Sequence, residues 1–543
     1  MKFKIARSLL SLCLILCILA LLACSQPAAT STAPSSSPSP APSAAGPKSG
    51  GVLHIGISAD GVTLGFPASA LTFQSNLMMK TTLDTLMRLD GDGNLLPWLA
   101  ESWPTDAVAK TITLKLKKGV KFSDGTDFNA AAVKWNLEAF TAAGRGELAK
   151  IKSYNVIDDY TLTCNLSEWD NTVLFALATS ACGLIVSPTA WKNAPGAATD
   201  KERNAWAENN PVGTGPYTLT SWAKGTKQVY KKNPNYWGKG MPYLDGLEWN
   251  VIADPMTLMA AFQAKEVDVL FGVSPSIANN LKKAGLPVYG PKSVGGAAFK
   301  ALVPNSAKAD SPFKNVNLRQ ALGYAIDSKS LVDAIYSGYA TPLEQYATPG
   351  AQYANPDVKG YPFDLAKAQA LMTAAGYSAS NPLKVSIITE NNPDDVNTCT
   401  ALQAMLAKAY INAAVNPVER GLMMQNVIGG TWESLLLGTF KLDSEPTLQF
   451  VRSISNVAPT YGKGLQHFDD VESAIKDATT AGTSDALKKA VYRTQQLVFD
   501  KYAIFKPLFV ISPISARHPY AMDDNLMTKR YEFWTPESAW LNK

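Results

Sequence analysis

The chain has 543 residues, 46% of them hydrophobic and 17% charged, with a formal net charge of +5. That length exceeds what one hydrophobic core supports, so two or more lobes are expected. The charge is small for the size and Lys and Arg are not clustered, which argues against a nucleic-acid partner.

The first element is a short basic start, Lys2, Lys4 and Arg7, followed by an apolar run from Leu9 to Ala23. This run falls short of the roughly 20 residues that a spanning helix needs, so residues 1–23 read as a signal peptide and the chain as exported. Cys24 follows Ala23, with Leu21 three residues before it. The pattern resembles the lipobox of bacterial lipoproteins, in which the cysteine is acylated and becomes the mature N-terminus. Cys24 is therefore the expected lipid anchor, on the outer face of the cytoplasmic membrane or in the periplasm. Residues 24–49, rich in Ser, Ala and Pro, form a disordered tether that cannot build a core.

Mixed strand and helix patterns follow. GGVLHIGIS (Gly50 to Ser58) alternates as a strand, and so does TITLKLKKGVKF (Thr111 to Phe122), which closes on the turn signal SDGT. A helix starts at NAAAVKWNLEAFTAA, with Asn129 as N-cap. DYTLTCNL and GLEWNVI read as strands, and PMTLMAAFQAKEVD as a helix returning to the strand VDVLFG. Beyond about residue 300 the texture becomes βα units. LRQALGYAIDSKSLVDAIYSGY reads as helical, KVSIITE as a strand, and CTALQAMLAKAYINAAVNPVE as helix then strand.

Of six cysteines, Cys13 and Cys17 fall in the signal and Cys24 at its end. Cys164, Cys182 and Cys399 remain, an odd number without metal-type spacing, and a Cys164–Cys182 pair stays open. No G-x-S-x-G, H-E-x-x-H or G-x-x-x-x-G-K-[ST] is present, and His54, His467 and His518 lie far apart, so the sequence offers no catalytic set and no cofactor or metal site.

Several long stretches in register carry a family resemblance. TTLDTLMRLDGDGNLLPWLAESWP, LKLKKGVKFSDGTDFNAAAVKWNLE, NPVGTGPYTL, YKKNPNYWGKGMPYLDGLEWNVI and PFKNVNLRQALGYAIDSKSLV resemble the peptide/nickel type (family 5) of bacterial extracellular solute-binding proteins, the receptors of ABC importers. The resemblance implies a two-lobed α/β fold of the periplasmic-binding-protein type II, cluster C form, with a ligand cleft between lobes. It implies a lobe I over 50–300, completed by 510–543, and a lobe II over 301–509. It implies a monomeric receptor, not an enzyme, that captures a peptide or other small solute and hands it to membrane permease subunits. A membrane-anchored hydrolase and a sensor without transport are the alternatives.

Ligands of α/β sheets gather beyond the carboxyl ends of strands, which points to Glu390, Asn391 and Asn392 after KVSIIT and to Glu419 and Arg420 after INAAVNPV. TWESLLLGTFKLDSEPTLQF resembles the family segment that supplies pocket residues, so Trp432, Thr439 and Asp443 join the candidates. Phe66 and Phe73, after the first strand, are candidates from the other lobe. Related peptide receptors place an aspartate for the ligand's α-ammonium where Leu442 stands here. Asp443 lies one residue on, which in an extended segment turns the side chain to the opposite face. The expected solute is thus neither a peptide with a free amino terminus nor a bare metal.

Overall fold

The strand VLHIGI lies within a sheet covered on both faces: Leu53, Ile55 and Ile57 are buried on one, and on the other Gly56 leaves room for Leu258, Val267 and Leu270. The computed structural model describes residues 46–543, apart from 71, 91–92, 290–296, 512–513 and 523–535. The expected signal peptide, the expected lipid anchor Cys24 and the expected tether up to residue 45 lie outside the described residues. Val52–Ile57 pairs in parallel with Gly246–Val251 and with Val269–Val273. The described strands of this first sheet run, in spatial order, Val288–Tyr289, Ile514–Arg517, Val269–Val273, Val52–Ile57, Gly246–Val251, Lys227–Lys232 and Tyr217–Ala223. His54 donates or accepts at Glu248, 2.9 Å away on the neighbouring strand, a structural role.

A second, antiparallel sheet in the same lobe holds Ala100–Ser102, Thr111–Leu116, Thr161–Leu166 and Ile151–Asp158, with Thr105–Asp106 on its flank. Helix Ala130–Ala142 covers it through Val133, Leu137 and Phe140, and Asn129 Oδ1 accepts from Ala132 N at 2.9 Å, the expected N-cap. Cys164 and Cys182 sit in this core as free thiols, as Cys399 does in the other lobe, so no Cys164–Cys182 bridge forms. Burial pushes the Cys164 and Cys399 thiols up to about 12, which keeps them protonated and inert.

The recurring Trp, Thr and Gly of the resemblance motifs meet at one buried group, Asp84. Its carboxylate accepts from Trp98 Nε1 at 2.8 Å, Trp237 Nε1 at 3.0 Å and the Thr214 hydroxyl at 2.9 Å. Arg88 adds a contact at 3.4 Å, lies 3.3 Å over the Trp98 ring and pairs with buried Glu537 at 2.8 Å, which ties the C-terminal segment to this lobe. Gly215 fits here because a Cβ would come within 2.5 Å of the Thr82 carbonyl carbon.

The other lobe is built on Ala340–Pro342, Lys506–Ile511, Ala297–Pro304, Leu435–Leu442, Leu383–Glu390 and Ile411–Val418, in that spatial order. The chain passes from the first sheet to this one between Tyr289 and Ala297, and returns between Ile511 and Ile514. The stretch from Leu318 to Tyr339, expected to be helical, forms two helices. Val316–Ala325 ends where Ile326 turns extended, and Asp327 caps Ser328–Tyr336 by accepting from Lys329 N and Ser330 N. The carboxylate offers the backbone a better local partner than a continued helix does.

Replacing Asp84 with Ala would leave two indole N–H groups, a hydroxyl and part of a guanidinium without their buried acceptor. The expected loss is roughly 3–5 kcal/mol, as for other broken buried charge sites. Urea unfolding followed by tryptophan fluorescence measures it, and a loss below about 1 kcal/mol would show that the hub is dispensable.

Candidate functional site

Register decides which edge of the second lobe's sheet faces the first lobe. Ala297 pairs with Leu442 and Ala298 with Ile511, so both chain crossings and the carboxyl end of Leu435–Leu442 share one edge. Across that edge the lobes touch. Asn171 N donates to Thr479 O at 2.9 Å, Asn171 Nδ2 to Ala478 O at 2.8 Å, and Trp169 Nε1 to Ala481 O at 3.4 Å. Phe175 packs against the hydrophobic clusters of both lobes.

Between the lobes lies a cavity of about 340 Å³. One wall is the helix Phe73–Met79, which Thr72 starts by accepting from Ser75 N. Helical spacing puts Phe73, Asn76, Leu77 and Lys80 on a common face, all lining the cavity. Arg145 and Glu147, in the turn after Ala130–Ala142, and Thr179, Ser180 and Ala181 complete the first-lobe side. Lys441 and Arg452 come from the second lobe.

Charge organises this space. Glu147 Oε1 accepts from Arg145 at 2.9 Å and pairs with Arg452 at 3.2 Å, an ion triad that spans the two lobes. Burial pushes the Glu147 carboxyl up, but Arg452 and Arg145 outweigh it and hold the group below the usual range. Asp443 is treated similarly. Burial raises it, while Lys441 at 2.8 Å and Gln449 at 2.5 Å bring it below the ordinary value.

Glu445 differs, because it faces a small void lined by Leu89, Phe175, Thr179 and Leu448. Its Oε1 accepts from Thr447 N at 2.9 Å and from the Thr447 hydroxyl, and its Oε2 has no hydrogen-bonding partner among the described residues. Burial, aided by the charges of Asp443 and Asp170, pushes this carboxyl up to about 7.

The sequence-based candidates scatter. Phe73 lines the cavity and stacks on Phe271 with centroids 6.2 Å apart. Asp443 lies in the adjoining void. Phe66 is 6% exposed and belongs to the first lobe's core, which takes it out of the lining. Trp432 is also core, its ring filling the space beside Gly464. The Thr439 hydroxyl accepts from Lys300 Nζ at 2.8 Å, and Lys300 pairs with buried Asp395 at 2.6 Å.

Asn392 caps the helix Pro393–Lys408 by accepting from Asp395 N, Asn391 is exposed, and Glu390 pairs loosely with exposed Arg420 at 3.6 Å. Glu419 starts the helix Arg420–Gly429 without a side-chain cap. These five residues miss the cavity for a measurable reason. Ile387 and Ile388 pair with Leu435 and Leu436, so Glu390 is level with Gly438, four residues and about 13 Å short of Leu442. Lys80, Arg145, Glu147, Ser180, Lys441 and Arg452 escaped the sequence reading. Only Lys441 had a signal, its place inside TFKLDSEP.

Among the described residues no cluster of three or more His, Cys, Asp or Glu is placed to hold a metal. His467 is occupied by Gly462 O at 3.0 Å and Glu472 at 3.4 Å.

Glu445 yields a pH prediction. Its folded value of about 7 lies above the ordinary 4.5, so the folded state binds the proton more tightly. The stabilisation is complete below pH 4.5 and is lost as the pH rises through 7. Glu445→Gln should flatten that dependence and raise stability at pH 8 by on the order of 2–3 kcal/mol. Urea midpoints at pH 5 and pH 8 give the comparison, and an unchanged slope in the variant would refute the assignment.

Comparison with known proteins agrees with the geometry. The glutathione-binding protein GsiB of Escherichia coli K12 is 31% identical over 376 residues, covering 67% of this chain and 69% of that protein. The substrate-binding protein CtaP of Listeria monocytogenes superposes with a TM-score of 0.78 at 20% identity, over 91% of this chain and 100% of CtaP. DppA of Helicobacter pylori, solved with the peptide STSA, gives 0.73 at 23% identity over 91% and 99%. Residues 94–456 match the family described as bacterial extracellular solute-binding proteins, family 5 Middle, and the chain belongs to that family.

Proposed function

We infer that the chain, as the solute receptor of an ABC importer, holds its ligand in the cavity between Phe73–Met79, Arg145–Glu147 and Lys441–Arg452, and passes it to the membrane permease in the closed form. One observation carries this reading: the lining comes from both lobes. Only a ligand with different contacts in the open and closed states can shift that equilibrium, and a solute touching both walls has them. The volume sits at the small end of ligand pockets, which fits a solute of short-peptide size or less. The named relatives, one glutathione-binding and one solved with a peptide, support that size class. Neither a hydrolase nor a sensor reading has an observation in its favour.

The export signal and Cys24 support a lipid-anchored receptor on the outer side of the membrane. Cys24→Ser should release the protein from membranes and abolish labelling by radioactive fatty acid while leaving it folded. Equal retention of both forms would rule out the anchor. Small-angle scattering should show a smaller radius of gyration when a solute binds. A tight ligand that left the shape unchanged would contradict the closing mechanism.

A further inference from the structure

The small void beside Glu445 is shared by the two lobes. Leu89, Phe175 and Thr179 line it from the first, and Asp443, Glu445 and Leu448 from the second. Thr179 also lines the larger cavity, so the two spaces adjoin. The lobes meet tightly here. Gly93, buried in the turn after Met87–Leu89, lies so close to the second lobe that a Cβ on it would stand 2.3 Å from Ser444 Cβ.

Glu445 itself is 3% exposed. Thr447, on its own segment, donates to Oε1 through its N–H and its hydroxyl, while Oε2 has no hydrogen-bonding partner among the described residues. The void measures about 10 Å³, room for a single water molecule. An ionised carboxylate therefore gives up most of its hydration here and regains protein donors on one oxygen only, a cost that protonation removes.

The surrounding charges add to that preference. Asp443 acts on Glu445 from its own segment, and Asp170 from the first lobe, just ahead of the helix Thr172–Thr179. Lys441 is paired with Asp443, and Arg452 with Glu147. Tyr353, in the second lobe, feels the same carboxyl and stays neutral because burial pushes its phenol up.

Two of these causes belong to the other lobe: the apolar cover of Leu89 and Phe175, and the like charge of Asp170. Parting the lobes would split the void, admit water to Oε2 and carry Asp170 away. The carboxyl would then fall from about 7 towards its ordinary 4.5. His467 offers no such coupling, since its partners Gly462 and Glu472 both lie in the second lobe. By linkage, a group that binds a proton more tightly with the lobes together also draws them together when protonated. We propose that Glu445 is a proton-binding site of the lobe interface: closing the lobes takes up a proton, and the closed form of the receptor gains as the surroundings become acidic. This rests on the receptor reading above and adds a regulator of the same motion.

The sign follows from the two values. Below pH 7 the closed form carries the proton, and above it both forms are ionised and the advantage is gone. The closed-to-open ratio should rise roughly tenfold between pH 8 and pH 6. Small-angle scattering of the intact protein should show the radius of gyration falling with pH over that range. Glu445→Gln, neutral throughout, should stay compact and lose the dependence. A wild-type radius indifferent to pH, or an unchanged response in Glu445→Gln, would overturn the proposal. Contraction with a bacterial small-molecule extract at constant pH, but not with acid, would overturn the proton site and leave the receptor reading standing. Contraction with acid alone would keep the proton site and count against solute capture.

Infrared difference spectroscopy reads the carboxyl directly. A group titrating near pH 7 is expected in wild type and should be missing from Glu445→Gln. In Gly93→Ala, whose new methyl props the lobes apart, it should move towards 4.5, and adding Ser444→Gly should restore it. An unshifted carboxyl in Gly93→Ala, despite a larger radius of gyration, would break the link between proton and closure.

Discussion

Asp84 is the acceptor on which separated stretches of the first lobe converge, and the cavity wall inherits its position from that convergence. The carboxylate gathers Trp98, Trp237 and Thr214, while the backbone around it holds two further segments. Asp84 O accepts from Ile185 N at 3.1 Å, and Leu86 N donates to Gly183 O at 2.9 Å, which places Thr179–Ala181. Thr81 O and Thr82 O accept from Tyr217 N and Gly215 N, which fixes the exit of the helix that carries Phe73, Asn76 and Lys80. A buried carboxylate is costly unless its lone pairs are filled. Here filling them requires the motifs to assemble together, so one group makes distant pieces of chain interdependent.

The lobe interface works by different physics. Within each lobe large apolar clusters exclude water, and among the described residues the contacts across the cleft include an ion triad, the Asn171 and Trp169 hydrogen bonds, and the packing of Phe175. Such an interface can separate without exposing a core, as a receptor that opens and closes requires. Its charges also make it conditional. The guanidiniums of Arg145 and Arg452 share one carboxylate, so the two walls are joined through a single group.

The acids beside the cavity show how local surroundings sort identical chemistry. Glu445 is buried, and Asp443, two residues away, is half-buried. Asp443 meets Lys441 and Gln449 and is held ionised. Glu445 meets only Thr447 and an apolar void, and its proton stays on to about pH 7. Desolvation acts on both, and the presence of an adjacent cation decides the sign.

Much was legible in the linear chain because its cause is local. Strand alternation placed VLHIGI and KVSIITE, and Asn129 marked the start of its helix through its own side chain. The TFKLDSEP stretch was read as pocket-forming, and Lys441 lies within it. The break at Asp327 is hidden in the sequence because helical periodicity continues across it, while in the fold the Asp327 carboxylate starts a new helix, Ser328–Tyr336. Glu390, Asn391 and Asn392 satisfied the rule about strand ends, but a rule of sheets does not say how far each strand reaches. That depended on a register only the folded sheet supplies, leaving them four residues short of Leu442.

Arg145, Glu147 and Arg452 stood as ordinary surface charges in the sequence, since nothing local links a turn near residue 146 to a helix near residue 450. By itself the sequence determined the α/β class and the helix start at Asn129, because each depends on neighbouring residues or on composition. Only the tertiary structure decided the identity of the cavity, because its lining is drawn together in space from positions as far apart in the chain as Ala70 and Arg452.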